Sequence, residues 1–390
     1  MSDQFLHGIE VIGVDNGYSI IETPRAGVIG ILGTAPGANS DKFPLNTPVL
    51  IPGLASDITA LGETGSLPMA LRLMFRIATP MVVVVRVEAS TDADTQLANL
   101  VGSNVTMGFS TGAYAFLDAP ARAKIVPRIL VAPWFSHIEQ VTDTLISVSE
   151  NLRGIVFADA PAGEADTYVQ ALDYAERLTH KRANPLWPFV SMYDSVTARL
   201  QSVPMSIPWS VVESKTNYYD SSSNTPVLLI DGISKSVGYG RDKRNTLSNL
   251  LNEKGVGTAI FDEGFRLWGN RTADPTSIWR YRAHVRLDDM VCEALLQANL
   301  RIVDKRITPM YAAGVTEDIN AYLRHLASPV VQAIAGGKCW FDKSLNTADE
   351  MEAGHAYFTF DYGRFGIAEH VQLIRKINQT YVEEVFANAA

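Results

Sequence analysis

Between Arg128 and Val190 short apolar runs alternate with amphipathic helical stretches, and that alternation leaves few folds open to the chain. Arg128–Ala132 reads as a buried strand. Ser136-His137-Ile138-Glu139 has the pattern of a capping box opening a helix with Ile138, Val141, Leu145, Val148 and Leu152 on one face. Gly154–Ala158 is the next strand, a helix from about Asp166 to Thr179 carries Val169, Leu172, Ala175 and Leu178, and Leu186–Val190 supplies a further strand. Strand, helix, strand in this order requires right-handed crossovers, and hence a parallel sheet covered by helices. Met81–Val87, a continuous β-branched run, has the pattern of a strand buried on both faces. Ser66 is read as the cap of the helix before it, which presents Leu67, Leu71, Met74 and Ala78 and stops at Pro80.

The last third has a different character. Arg286–Lys305 has helical spacing with Leu287, Met290, Val291, Ala294, Leu295, Ala298 and Ile302 inward; Arg301, Lys305 and Arg306 stand at its end, where cations suit the helix dipole, and Pro309 is expected to close it. Thr316 is read as the cap of a shorter helix. Lys338–Phe341 is a short strand, Ala356–Tyr362 alternates Tyr357, Thr359 and Asp361 against Phe358, Phe360 and Tyr362, and Glu369–Phe386 reads as a long extended tail. Helices followed by strands suit an α+β unit distinct from the α/β middle. Tyr218–Thr225 is a polar loop, expected to be exposed.

Bulk properties narrow the function classes. A net charge of -9 opposes non-specific nucleic-acid binding, although the arginine-rich stretch Gly240–Lys338 is slightly basic and would suit an acidic protein partner. The longest apolar run, Met81–Val85, is far short of the roughly 18 residues of a membrane helix, and the N-terminus lacks a signal-peptide pattern. The two cysteines, Cys292 and Cys339, form no metal-binding or disulfide pattern. Catalytic signatures are missing as well. Gly336-Gly337-Lys338 precedes a strand where a phosphate loop would open a helix, Ser234 and Ser236 do not form a nucleophile elbow, and the seven histidines are scattered. Asp159 follows a strand, the place where α/β enzymes put active groups, and is the one carboxylate worth testing, although Asp159-Ala160-Pro161 reads first as a turn. Asp288 and Asp289 point about 100° apart on a helix and are expected to be a polar face. No cofactor, metal or catalytic residue is expected.

One further segment is singular. Gly255–Phe261 reads as a strand, Asp262-Glu263-Gly264 as a turn that uses the freedom of glycine at positive φ, and Gly264-Phe265-Arg266-Leu267-Trp268-Gly269-Asn270-Arg271-Thr272 returns apolar surface to a core. Residue type alone makes Trp268 a buried aromatic and Arg271 a solvated charge. This element resembles the contractile tail sheath proteins of myophages and R-type pyocins. Ile302-Val303-Asp304-Lys305, Lys338-Cys339-Trp340-Phe341, Gly354–Tyr362, His7-Gly8 and Arg128–Pro133 extend the likeness over almost the whole chain, with looser agreement at Lys42–Gly112 and Ala198–Thr225.

The resemblance implies an N-terminal arm (1–24), an outer α/β domain with a mainly parallel sheet (25–254), an inner α+β domain (255–368) and a C-terminal strand arm (369–390). Such a subunit polymerises as stacked hexameric rings around an inner tail tube, between baseplate and tail terminator proteins, and contracts to drive the tube through a cell envelope. It is no enzyme, takes no cofactor and binds neither nucleic acid nor membrane; it is assembled in the bacterial cytoplasm and resides in the virion. Intersubunit strands are expected around Ile9, Val11 and Val14 and around Val371, Leu373 and Ile377, and tube-facing cations at Arg301, Lys305, Arg306 and Arg324. Gly264, Phe265, Arg266, Trp268, Gly269, Asn270 and Arg271 form the family signature. The competing readings are a cytoplasmic α/β enzyme acting near Asp159 and a non-contractile structural polymer.

Overall fold

The structure, a computed structural model, describes residues 21–53, 55–105, 108–274, 278–299 and 302–387. Six strands, β1 (Ile29–Thr34), β2 (Val49–Ile51), β3 (Val82–Val87), β4 (Ile129–Val131), β5 (Ile155–Asp159) and β6 (Ala183–Leu186), form one sheet in the order β2-β3-β1-β4-β5-β6. Only β2 runs antiparallel to its neighbour. Successive side chains of each strand point to opposite faces, and both faces are filled: Val83, Val85, Leu130 and Val156 enter one core, Val82, Val84, Ile129 and Ile155 the other.

The first face is covered by α2 (Ala93–Val101), α4 (Glu139–Leu152) and α5 (Tyr168–Leu178), with the single turn α3 (Ala119–Arg122) beside them. The second is covered by α1 (Ser66–Ile77), α6 (Ser206–Lys215) and the three-stranded sheet of β7 (Val190–Asp194), β8 (Arg199–Val203) and β9 (Gly232–Ile233). Helix α7 (Leu247–Glu253) leads into the hairpin of β10 (Thr258–Phe261) and β11 (Phe265–Trp268). Ala259 and Leu267 of this hairpin lie in the α/β core, whereas the sequence boundary at 255 assigns them to the other unit.

The remaining layer consists of α8 (Arg282–Asn299), α9 (Pro309–Ala327), the antiparallel pair β12 (Gly336–Phe341) and β13 (Phe358–Gly363), the short α10 (Ala348–Glu352) between them, and α11 (Thr380–Ala387). Leu287, Val291 and Leu295 of α8 meet Val315, Ile319, Tyr322, Leu323 and Leu326 of α9, with Cys339 of β12 closing the cluster. The described part of α8 begins four residues before the expected start. Helix α9 runs straight through Thr316: Thr308 is the cap, accepting from Tyr311 N at 3.1 Å, and Pro309 opens the helix, because its missing N–H costs nothing in a first turn. Lys305 and Arg306 therefore precede α9 and do not sit in the last turn of a helix.

Ser136 also departs from expectation. Its hydroxyl does not cap α4, whose N-cap is Ile138, but donates to the Asp159 carboxylate at 3.2 Å. The tail read as extended throughout ends in α11, entered where the Asn378 side chain accepts from Thr380 N and Oγ1. Among the described residues no helix is long and apolar enough to cross a membrane, and no cluster of His, Cys, Asp and Glu could hold a metal.

Candidate assembly surface

Helix α8 joins the two layers, and it does so with charge. Arg282, Arg286, Asp289 and Glu293 recur at spacings of four, three and four, so they share one stripe of the helix. Arg282 Nε and Arg286 Nη1 reach opposite oxygens of the fully buried Glu213 on α6, at 3.1 and 2.6 Å. Ser222 donates to the same carboxylate, and Arg282 Nη2 donates to Ser222 Oγ at 3.0 Å and to the Gly269 carbonyl at 3.2 Å. The Arg282 guanidinium also lies over the rings of Phe157 and Trp209. Burial alone would raise the Glu213 carboxyl, but the two arginines and Ser222 outweigh it and hold the group below its ordinary range.

One turn along the stripe, Arg182 grips Asp289 through two nitrogens at 2.5 and 2.8 Å, and Glu293 bridges Arg128 and Arg153, each at 3.2 Å. Asp289 is thus a buried partner where sequence reading made it a solvated face, and Asp288 accepts the Tyr362 hydroxyl of β13. Ser222, expected in an exposed loop, is buried for the same reason.

The signature residues cap this seam. Glu263 and Gly264 both take positive φ in the hairpin turn, Phe265 meets Phe261 edge-to-face, and Arg266 Nε holds the Asp262 carbonyl at 3.0 Å. Trp268 is half-buried, contrary to expectation: pairing sets Leu267 opposite Ala259 on the inward face, so Trp268 faces the other way and packs edge-on against Tyr239. At Gly269, φ is +142°, and a side-chain carbon would meet Asn252 Oδ1 at 2.6 Å, so only glycine fits. Asn270 supplies its carbonyl to Arg282 N at the start of α8.

Arg271 is no solvated charge. Its Nε and Nη2 each lie 2.7 Å from an oxygen of Glu369, and Tyr281 donates its hydroxyl to the same carboxylate at 3.3 Å. That carboxylate raises the Arg271 guanidinium above its ordinary value in spite of partial burial. Just upstream, His284 Nε2 donates to the Phe365 carbonyl at 2.9 Å, and the Arg364 guanidinium lies 4.8 Å over the Trp279 ring. The chain is therefore fastened as far as Glu369. Beyond that point Val371, Leu373 and Ile377 are 69, 94 and 85% exposed and belong to no strand.

The other element of the surface is the sheet of β12 and β13: the outer edge of β13 is open, while at the edge of β12 the Asn320 side chain of α9 accepts from Cys339 N at 2.7 Å and donates to its carbonyl at 3.1 Å. Among the described residues the two strands pair only with each other, with Cys339, Phe358 and Phe360 turned toward α8 and α9 and Lys338 opposite Asp361 on the outer face. Of the basic candidates, Lys305 and Arg306 are exposed and form no ion pair among the described residues, whereas Arg324 is engaged by Glu317. Arg306 and Arg324 flank most of α9, on the order of 25 Å of helix, so they cannot form one patch. Ile9, Val11, Val14 and Arg301 lie outside the described residues.

Asp159 is enclosed in hydrogen bonds within the core. It is buried, and its oxygens accept from Ser206 N at 2.8 Å, from Ser206 Oγ and from Ser136 Oγ, which staples β5 to the start of α6. Burial pushes its carboxyl up to about 6 against the lowering effect of these hydrogen bonds. A raised folded-state pKa means that the folded chain holds this proton more tightly, so its contribution to stability is lost as pH rises from about 4 toward 6. Asp159→Asn is expected to flatten that part of the stability–pH curve while leaving assembly intact. Urea midpoints across pH 4–7 test the first point; a lost capacity to assemble would contradict the second.

Residues 26–87 match the family described as tail sheath protein Gp18 domain III, N-terminal region. The fold is shared with the sheath complex of an extracellular contractile injection system, PVC, in its contracted state (TM-score 0.70, 14% identity, 98% of this chain and 100% of that one). It is shared also with the contracted helical sheath of the anti-feeding prophage (TM-score 0.65, 18% identity, 96 and 100%). The putative prophage major tail sheath protein of Pseudomonas aeruginosa (strain UCBPP-PA14) is 30% identical over 98% of both chains. With the tail sheath protein of Escherichia phage P2 likewise 30% identical over 98% of this chain and 98% of its own, the chain belongs to the family of contractile tail sheath proteins.

Proposed function

We propose that this chain polymerises as stacked six-fold rings around an inner tube, between a baseplate and a terminator, and that the polymer shortens to drive the tube through a cell envelope. The observation that carries this reading is the pairing of deficits on one molecule. Beyond Glu369 apolar residues project with nothing over them, while β13 offers an outer edge unpaired among the described residues. A two-stranded sheet alone is marginal in water, and a free edge is a template for another strand. Strand addition between copies removes both deficits, with main-chain hydrogen bonds for strength and alternating side chains for register. The stretch Val371–Ile377, with Val371, Leu373 and Ile377 on one side, is the donor at the C-terminus; Ile9, Val11 and Val14 are the donors at the other.

The α8 seam supports a subunit that moves as one piece. Outer and inner units joined by buried ion pairs resist bending between them, so motion concentrates in the arms. The work of contraction then comes from new interfaces that form between copies as a metastable polymer relaxes, with no catalytic step. Lys305 and Arg306, exposed and without an ion pair among the described residues, suit an acidic tube surface, and Arg301, outside the described residues, is proposed with them. Assembly in the bacterial cytoplasm and residence in the virion follow from this role.

Electron microscopy of the purified protein is expected to show long hollow cylinders or rings with six-fold symmetry. Deleting residues 1–15 or 370–390 should abolish them and leave a folded monomer. A chain that stays monomeric at high concentration, with unaltered behaviour after both deletions, would sink the reading.

A further inference from the structure

An apolar groove of about 300 Å³ opens between α8, α9 and β13, lined by Cys292, Leu295 and Leu296, by Val315 and Ile319, and by Phe358. Leu296 is half exposed at its wall, and Arg153, its side chain 35% exposed, stands at its rim with one nitrogen on Glu293. Elsewhere on the same molecule is an apolar surface of matching kind. Tyr381, Val382, Val385 and Phe386 of α11 recur at helical spacing on one face, and each is more than half exposed. Glu383 and Glu384 occupy the opposite side. Groove and helix thus coexist in one chain, both uncovered.

We propose that α11 of one copy docks in this groove on an adjacent copy. The inference rests on the strand exchange argued above and extends it past the strand. The groove's wall is β13, the strand whose free edge would receive Val371–Ile377, so a chain leaving that edge reaches α11 within three residues of Ile377, beside the groove. The span from Glu369 to Tyr381, at roughly 3.3 Å per extended residue, covers about 40 Å, enough to pass from the arm root onto a neighbour. Val385 and Phe386 have the size and polarity to fill the floor, and Glu383 or Glu384 meets Arg153 at the rim. The occupant is a second copy of this chain: a neutral or basic helix would lack the charge match, and in its own chain α11 leaves the groove open.

Cys292 provides the probe, because the only other cysteine, Cys339, is buried. In Val385→Cys, mild oxidation of assembled protein is expected to yield a ladder of covalent multimers on a non-reducing gel. They should form about tenfold or more faster than in unassembled chains at equal concentration, as docking raises the local concentration of the pair. Cys292→Ser in the same background should abolish the ladder. Cylinders are scored separately by electron microscopy. Cylinders without the ladder, a linked product of monomer mass, or a ladder obtained from Val11→Cys in place of Val385→Cys would overturn the inference and leave the assembly reading standing. Absence of cylinders from the unsubstituted protein would overturn both.

Discussion

Glu213→Ala is expected to destabilise the chain by about 3–5 kcal/mol, the cost of leaving buried charge without its partner. Among the described residues the carboxylate is the only acid facing Arg282 and Arg286 in their buried contacts, and it also accepts from Ser222. Its loss would leave two guanidinium groups deep in the molecule, Arg282 over the Phe157 and Trp209 rings with only neutral partners. Replacing the whole cluster should hurt much less. A triple variant, Glu213→Leu with Arg282→Met and Arg286→Met, removes the charges together and is expected to recover most of the lost stability, since well-packed apolar groups match a buried ion pair in many proteins. Urea unfolding followed by tryptophan fluorescence reads both, Trp209 being beside the cluster. A loss below about 1 kcal/mol in Glu213→Ala would mean that the seam is not held by this pair. The sign of the pH effect follows too. A folded pKa below the ordinary 4.5 means that this stabilisation is complete above that value and disappears as pH falls through the lower, folded value, so the unsubstituted chain should lose it only in acid and Glu213→Ala should lack that phase.

Sequence reading could see the sheet and could not see this cluster, and the reason is where the information lies. A strand buried on both faces writes itself as a continuous apolar run, as Val82–Val87 does, and the β13 alternation separates Phe358, Phe360 and Tyr362 from Thr359 and Asp361 one residue at a time. Glu213 and Arg282 are separated by 69 residues, and nothing local joins them. A signal does exist in the spacing of Arg282, Arg286, Asp289 and Glu293, but a charged helical stripe usually faces water, so the pattern alone argues the wrong way. The tail carries a different lesson. Val371, Leu373 and Ile377 keep a period of two, and Tyr381, Val382, Val385 and Phe386 a helical one; the period changes at Asn378, which a single reading of the segment averages away. Trp268 departs from expectation for a third reason, since one residue of register decides which of two adjacent side chains in a hairpin enters the core, and Leu267 does.

Arg271→Glu is expected to leave the monomer folded and to prevent cylinders from forming. The pair with Glu369 is partly solvated, so its contribution to the fold is small and a melting curve should scarcely move. Its effect lies in where the arm begins. While Arg271 and Tyr281 hold Glu369, the projecting segment leaves the body from one point, and in the proposed strand exchange only the residues beyond it must be ordered on a neighbour. With two carboxylates facing each other the clamp opens, and the segment 366–369 joins the free arm, Phe365 remaining held by His284. Each residue released costs about 1 kcal/mol to order again, several kcal/mol in all, which corresponds to a hundredfold or greater rise in the concentration needed for assembly. The reversed pair, Arg271→Glu with Glu369→Arg, restores the attraction across the same gap and is expected to restore cylinders, whereas Glu369→Arg alone is not. Sedimentation of the four proteins over a concentration series separates them. If Arg271→Glu assembled at the same concentration as the unsubstituted chain, or if the reversed pair stayed monomeric, Glu369 would not be the root of the arm, and the attachment would have to be sought upstream, at His284 and the Phe365 carbonyl or at Arg364 over Trp279.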